Sequence, residues 1–414
     1  MNRAPVKIPQ RSGALKILLA AAALALLWFL TYSFNQFAYR RAYLNLLRGN
    51  LRAAETLLKS VVFHEPLFYI HHGIMGQKET LEAFRETRRH IVDRLLFVVN
   101  AGAPVISSPA AAGNAIYFGS NAGTLFKIDA RSGEIIWEHR ARGAVETKPL
   151  PARGRVFFAA HDGIHALDAR SGKKLWFAPV RWAESSPALR QGAILAGTDD
   201  ARLIALDAAS GEPLWEFRAA GPVESSPVVS NGAVFFGCNA GVVYSLDAAT
   251  GRLLWSRPLG GRVEGRLLVH GGALFAGTTA GAVYALDPDN GKILWMKRLG
   301  EKVEDAQPAG QGGVIVIGTW KGSVIALSAG AGDVLWKFSA RAPVESPPVI
   351  HDGVVYAGAH NGFIYALDLR TGALLWRFLT GWDIDESSPL ILGDVLYVGS
   401  CDGRLYGIGI GVGR

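Results

Sequence analysis

Residues 205–215 read ALDAASGEPLW, and the same phrase returns, lightly edited, down the chain. KIDARSGEIIW ends at Trp137, ALDARSGKKLW at Trp176, SLDAATGRLLW at Trp255 and ALDPDNGKILW at Trp295. ALSAGAGDVLW ends at Trp336 and ALDLRTGALLW at Trp376. Counting Trp215, the seven tryptophans are spaced by 39, 39, 40, 40, 41 and 40 residues. A period near forty that holds strands and turns but no helix predicts an all-β propeller of four-stranded antiparallel blades.

The phrase has a mechanical reading. Leu203 and Ala205 alternate as in a half-buried strand, and Asp207 to Gly211 fits a turn. Asp can bond its own downstream backbone, and Gly adopts positive φ without steric cost. Each Trp stands four residues past the Gly, so every hairpin carries a large ring to the same place. Wedged between neighbouring sheets, such a ring buries on the order of 200 Å². Repetition makes it a structural docking residue rather than a binding site.

Working outward, the last unit, residues 383–411, supplies three strands and lacks the fourth with its Trp. Residues 95–109 (LLFVVNAGAPVISSP) line up with 374–389 (LLWRFLTGWDIDESSP), with Phe97 in the Trp position. The expected ring therefore has eight blades and is closed by strand 94–100. Closure of this kind removes the open sheet edges that invite aggregation.

The repeats are electrically neutral. Residues 1–92 hold 13 Lys/Arg against 5 Asp/Glu and residues 93–414 hold 30 of each, so the formal charge of +8 belongs to the N-terminal part. No basic stripe with interleaved aromatics runs through the repeats, which sets nucleic acid aside. Residues 1–16 are basic and free of acid, and residues 17–34 are apolar, which suits a transmembrane signal anchor. A cleaved secretory signal is the alternative, but no small-x-small site follows the apolar core. The first-helix tendency places the N-terminus in the cytoplasm and the propeller in the periplasm. Residues 35–92 read as a helical neck: a hairpin over 36–62 and an amphipathic helix over 77–92. His64, His71 and His72 lie in the loop between them, better read as structural or surface residues than as a metal site. Cys238 and Cys401 fall on opposite sides of the ring, too far apart for a disulfide, and read as small buried thiols.

A second signal precedes each unit's first strand, as in VESSP at 223–227. Its acid falls at Glu146, Glu184, Glu224, Glu264, Asp305, Glu345 and Glu386, with the register open by one residue at Glu304/Asp305 and Asp385/Glu386. If the first strand of each blade is innermost, these carboxylates ring the channel mouth and attract cations or a basic segment. The alternative is that each caps backbone N–H groups. Trp182, Trp320 and Trp382 stand outside the repeated position, as do Arg181, Arg262, Arg266 and Lys321. Exposed aromatics beside arginines are what protein interfaces favour, with packing in short loops as the alternative.

The A-x-D-x-x-x-G-x-x-x-W unit over residues 93–414 resembles the repeat of quinoprotein (PQQ-like) β-propellers. That family includes PQQ-dependent alcohol dehydrogenases and the BamB-type scaffold of outer-membrane barrel assembly. The resemblance implies the fold strongly and the activity weakly. The dehydrogenases need a quinone stacked between a Trp and a vicinal disulfide, a Ca²⁺ held by carboxylate and amide, and an Asp base. This sequence has no Cys-Cys pair and no C-x-x-C-H haem motif. The expectation is a non-enzymatic, BamB-like scaffold without cofactor, catalytic residue or metal, held to the inner membrane by residues 17–34 and bound to envelope or membrane proteins. A PQQ-dependent dehydrogenase and a ligand-sensing domain of a signalling complex are the alternatives.

Overall fold

The computed structural model describes residues 94–411 except 181, 305 and 306, together with Arg41, Tyr43, Asn45 and Ala53, which are helical. The expected basic segment, the 17–34 span and most of the 35–92 neck, including His64, His71 and His72, lie outside the described residues. Among the described residues no helix is long and apolar enough to cross a membrane.

Thirty-two strands form eight four-stranded antiparallel sheets. Blades 1 to 7 run over residues 110–140, 150–178, 188–218, 228–258, 268–298, 309–339 and 349–379. Blade 8 combines Leu390–Leu392, Val395–Ser400 and Arg404–Gly409 with Leu95–Asn100, which pairs antiparallel to Arg404–Gly409. The expected count and closure both hold. In each blade the first strand is a three-residue inner strand, and inner strands of neighbouring blades approach one another round the axis.

Blade 3 shows how the phrase folds. Asp207 Oδ1 accepts hydrogen bonds from the backbone N–H of Ala209 (2.9 Å) and Ser210 (2.8 Å), and Gly211 N–H returns to the Asp207 carbonyl (2.7 Å). Those bonds hold the Asp207 carboxyl below its ordinary range. The turn inserts a bulge, after which Trp215 faces Ala205 across the ladder. A small residue opposite leaves the indole free to lean onto the next blade.

There it meets glycine. A Cβ on Gly251, at φ +71°, would lie 2.6 Å from Trp215 Cε3. The same contact joins Trp137 to Gly172, Trp176 to Gly211, Trp255 to Gly291, Trp295 to Gly332 and Trp336 to Gly372, and Phe97 fills the role against Gly133. Indole N–H groups tie most of these rings to the next blade, as from Trp176 to the Ala208 carbonyl (3.1 Å) and from Trp336 to Leu369 (2.8 Å). In blade 8 the third and fourth strands come from opposite ends of the chain with no Asp–Gly turn between them, and over Trp376 the Arg94 guanidinium lies 4.8 Å from the ring centre.

Candidate functional site: an acidic face

In an antiparallel blade the second-to-third-strand turn and the link to the next blade emerge on the same side of the disc. The acids of the second signal lie in those links. On this side they open onto an axial cavity of about 570 Å³, lined by Glu146, Glu184, Glu224, Glu264 and Glu386. Five of the seven acids read from the sequence thus line one cavity; Glu345 turns elsewhere and Asp305 is outside the described residues.

In four of the links the serine one position past the acid, or past Ile106 in the first, joins neighbouring blades. Ser107 Oγ donates to the Thr147 carbonyl (2.9 Å), Ser225 to Gly265 (3.1 Å), Ser346 to Ser387 (2.8 Å) and Ser387 to Ser107 (3.1 Å). The last of these closes the circle.

Glu146, Glu224, Glu264 and Glu345 each bond a side chain. Three of them reach a side chain fifteen residues along, in the turn after the second strand. Glu146 meets His161 Nε2 at 2.9 Å, Glu224 accepts from Asn239 Nδ2 at 2.5 Å, and Glu345 meets His360 Nε2 at 2.6 Å. Glu264 pairs with Arg262 (2.9 Å) and keeps its other oxygen buried without a partner. Burial, then repulsion from Glu224, raises the carboxyl pKa of Glu184. Burial likewise raises Glu264, partly offset by Arg262.

The open register in blade 8 resolves into a split. Val145, Val223, Val344 and Ile384 are the buried anchors of their links, and one extra residue separates Ile384 from Ser387. Glu386 faces the cavity, whereas Asp385 turns to blade 7, where its Oδ1 lies 3.1 Å from His360 Nε2. His360 thus sits between two carboxylates without a linear hydrogen bond to either. Burial opposes its charge, but Asp385 and Glu345 outweigh burial and push its pKa up to about 10.

The tryptophans divide. Trp182 and Trp320 are each 44% exposed, Trp182 at φ +52° with its indole 4.7 Å from the His161 ring. Trp320 lies edge-on to His360 at 6.0 Å. Trp382 is a correction: it is only 9% exposed and belongs to the core, because its carbonyl accepts from Thr380 Oγ1 (2.7 Å) and Ser400 Oγ (3.1 Å), which pull the loop inward. Arg181 is outside the described residues. The cysteines are free, Cys238 fully buried but Cys401 only half-buried, its thiol pKa raised by burial and the neighbouring Asp385. Two cations enter the cavity: Lys148, which sequence reasoning gave no role, and Arg266, which it grouped with the interface candidates, line it and make no ion pair among the described residues. Both side chains are exposed to the cavity, and desolvation by the surrounding protein lowers the pKa of each.

Comparison with known proteins agrees with this architecture. No curated protein matches the chain by sequence. BamB from Moraxella catarrhalis superposes with a TM-score of 0.67 at 18% identity, over 76% of this chain and 99% of that one. Quinohemoprotein alcohol dehydrogenase from Comamonas testosteroni gives 0.67 at 14%, over 79% and 78%. The computationally designed Ika8 protein gives 0.68 at 18%, over 77% and 100%. At such identities these likenesses show the fold. Residues 94–176, 160–305 and 298–414 match the family described as outer membrane protein assembly factor BamB, and the chain belongs to that family.

Proposed function

We propose that this chain is a non-enzymatic scaffold of the bacterial envelope, anchored in the inner membrane by residues 17–34, that binds partner proteins on the acidic face of a periplasmic propeller. The observation that carries the reading is the pair of half-exposed indoles, Trp182 and Trp320, on the face of the disc that carries the acids. A large ring held out on a constrained backbone is the kind of residue that dominates interface energies. Trp182 adopts its left-handed backbone, which costs a non-glycine residue about 1–2 kcal/mol. The surrounding carboxylates favour a basic partner segment. A family whose description is outer-membrane assembly supports a partner from the envelope.

A second reading, a quinone-binding or ligand-sensing propeller, is favoured by the two cations in the axial cavity, which suit a small carboxylated ligand. The experiment pairs two assays on the purified full-length chain. Crosslinking pull-down from membranes is expected to recover a discrete envelope partner, and addition of PQQ with Ca²⁺ is expected to give no dye reduction. Dye reduction without a recovered partner reverses the assignment.

A further inference from the structure

We propose that Glu345, His360 and Asp385 form a zinc-binding site at the junction of blades 7 and 8. Their ligand atoms all lie within 4.8 Å of one another, and no other three such side chains converge this closely among the described residues. The ring nitrogen already lies between Oε2 of Glu345 at 2.6 Å and Oδ1 of Asp385 at 3.1 Å. It is aligned on neither, so this is convergence on a shared point rather than two good hydrogen bonds.

The ring's symmetry isolates this site. Glu146 and His161 repeat the Glu345–His360 pair in blade 2, with the same spacing, but among the described residues no third ligand joins them. In blade 8 the extra residue between Ile384 and Ser387 frees Asp385 from the channel and sends it across the junction. One nitrogen and two carboxylate oxygens form a mixed set that zinc accepts; the ion displaces the imidazole proton to solvent, leaving two carboxylates and a neutral imidazole to balance a dication. Tetrahedral zinc with bonds near 2.0–2.1 Å separates adjacent ligand atoms by about 3.3 Å. The two nitrogen–oxygen spacings need to open by less than about 1 Å, and the oxygen–oxygen spacing, at most 4.8 Å, to close by no more than about 1.5 Å. Glu345 and His360 are largely buried while Asp385 is 36% exposed, so the fourth position faces outward, beside Trp320. Three protein ligands and one open position allow water, or a side chain of a bound partner, to complete the shell.

The test uses the full-length chain in detergent, stripped with chelator and titrated with Zn²⁺ against a chromogenic chelator, with Co²⁺ absorption as the spectroscopic readout. The wild type is expected to take up one ion with a Co²⁺ spectrum of nitrogen–oxygen ligation, and to prefer Zn²⁺ to Mg²⁺ and Ca²⁺. His360→Ala and the milder Asp385→Asn are expected to weaken uptake by more than about tenfold, while His161→Ala leaves it unchanged. Circular dichroism confirms that each variant is folded; if His360→Ala is not, Asp385→Asn decides. The competing source is the set His64, His71, His72 and His90, so a variant with those four replaced by Ala must retain the ion. No uptake by folded wild type, uptake indifferent to Asp385→Asn, or uptake lost with the four N-terminal histidines each overturns the proposal.

Discussion

The contact that organises the ring is a tryptophan resting on the next blade's glycine, and Gly172→Ala tests it. The glycine sits at φ +69°, and a Cβ there would lie 2.8 Å from Cδ2 and 2.9 Å from Cε3 of Trp137. A methyl group therefore pays twice. The left-handed backbone costs an L-residue about 1–2 kcal/mol. Forcing the indole off its seat adds about 1–3 kcal/mol of overpacking strain. Together the substitution is expected to cost about 2–5 kcal/mol. Gly154, in the same blade, supplies the control: it has φ +74° and nothing within 4 Å of the added Cβ. Gly154→Ala should show the backbone cost alone, about 1–2 kcal/mol. The assay is urea denaturation of both variants and wild type, followed by tryptophan fluorescence and circular dichroism. Equal midpoints for the two variants would refute the docking argument, since the difference between them measures the ring contact.

Other consequences are equally direct. Phe97→Ala removes the ring that touches Gly133 and Gly407 and should cost about 3 kcal/mol, seen as a lower urea midpoint and earlier aggregation as the closing strand loosens. Trp182→Ala and Trp320→Ala should weaken partner recovery with little change in midpoint. Trp382→Ala, by contrast, should destabilise by about 3–5 kcal/mol because that ring is buried. Glu184 has its pKa raised in the fold, so its favourable contribution is complete below the ordinary value of 4.5 and is lost as pH rises through the folded value. Because the side chain is exposed and screened by solvent, Glu184→Gln should raise the melting temperature only slightly at pH 7 to 8, and the gain should vanish by about pH 4; a gain that grows on acidification contradicts the assigned cause.

Much of the fold was legible because it is local. The Asp turn, the bulge and the Trp at fixed spacing are decided within eleven residues, and the repeat multiplies the signal. The closing strand was legible by subtraction, since the last unit lacks one and residues 95–100 match it. What failed is what depends on the neighbours. Trp382 follows Thr380-Gly381 and reads as a loop aromatic, yet hydrogen bonds from Thr380 and Ser400 draw it into the core. The fifteen-residue spacing of Glu146 with His161 and Glu345 with His360 is present in the sequence and was the missed signal. The approach of Asp385 was not legible, because it depends on which of two adjacent acids the extra residue turns across the junction. Lys148 and Arg266 stand where four other links carry a cavity-lining serine, and only the inner position of the short first strands shows where they point.

The most direct test of the proposed role is site-specific photocrosslinking in membranes. A photoreactive residue at Trp320 on the acidic face is compared with one at Ala209, in an exposed Asp turn on the opposite side. The account predicts discrete adducts to an envelope protein from position 320 and none from position 209. Adducts from position 209 alone, or from neither, would contradict it.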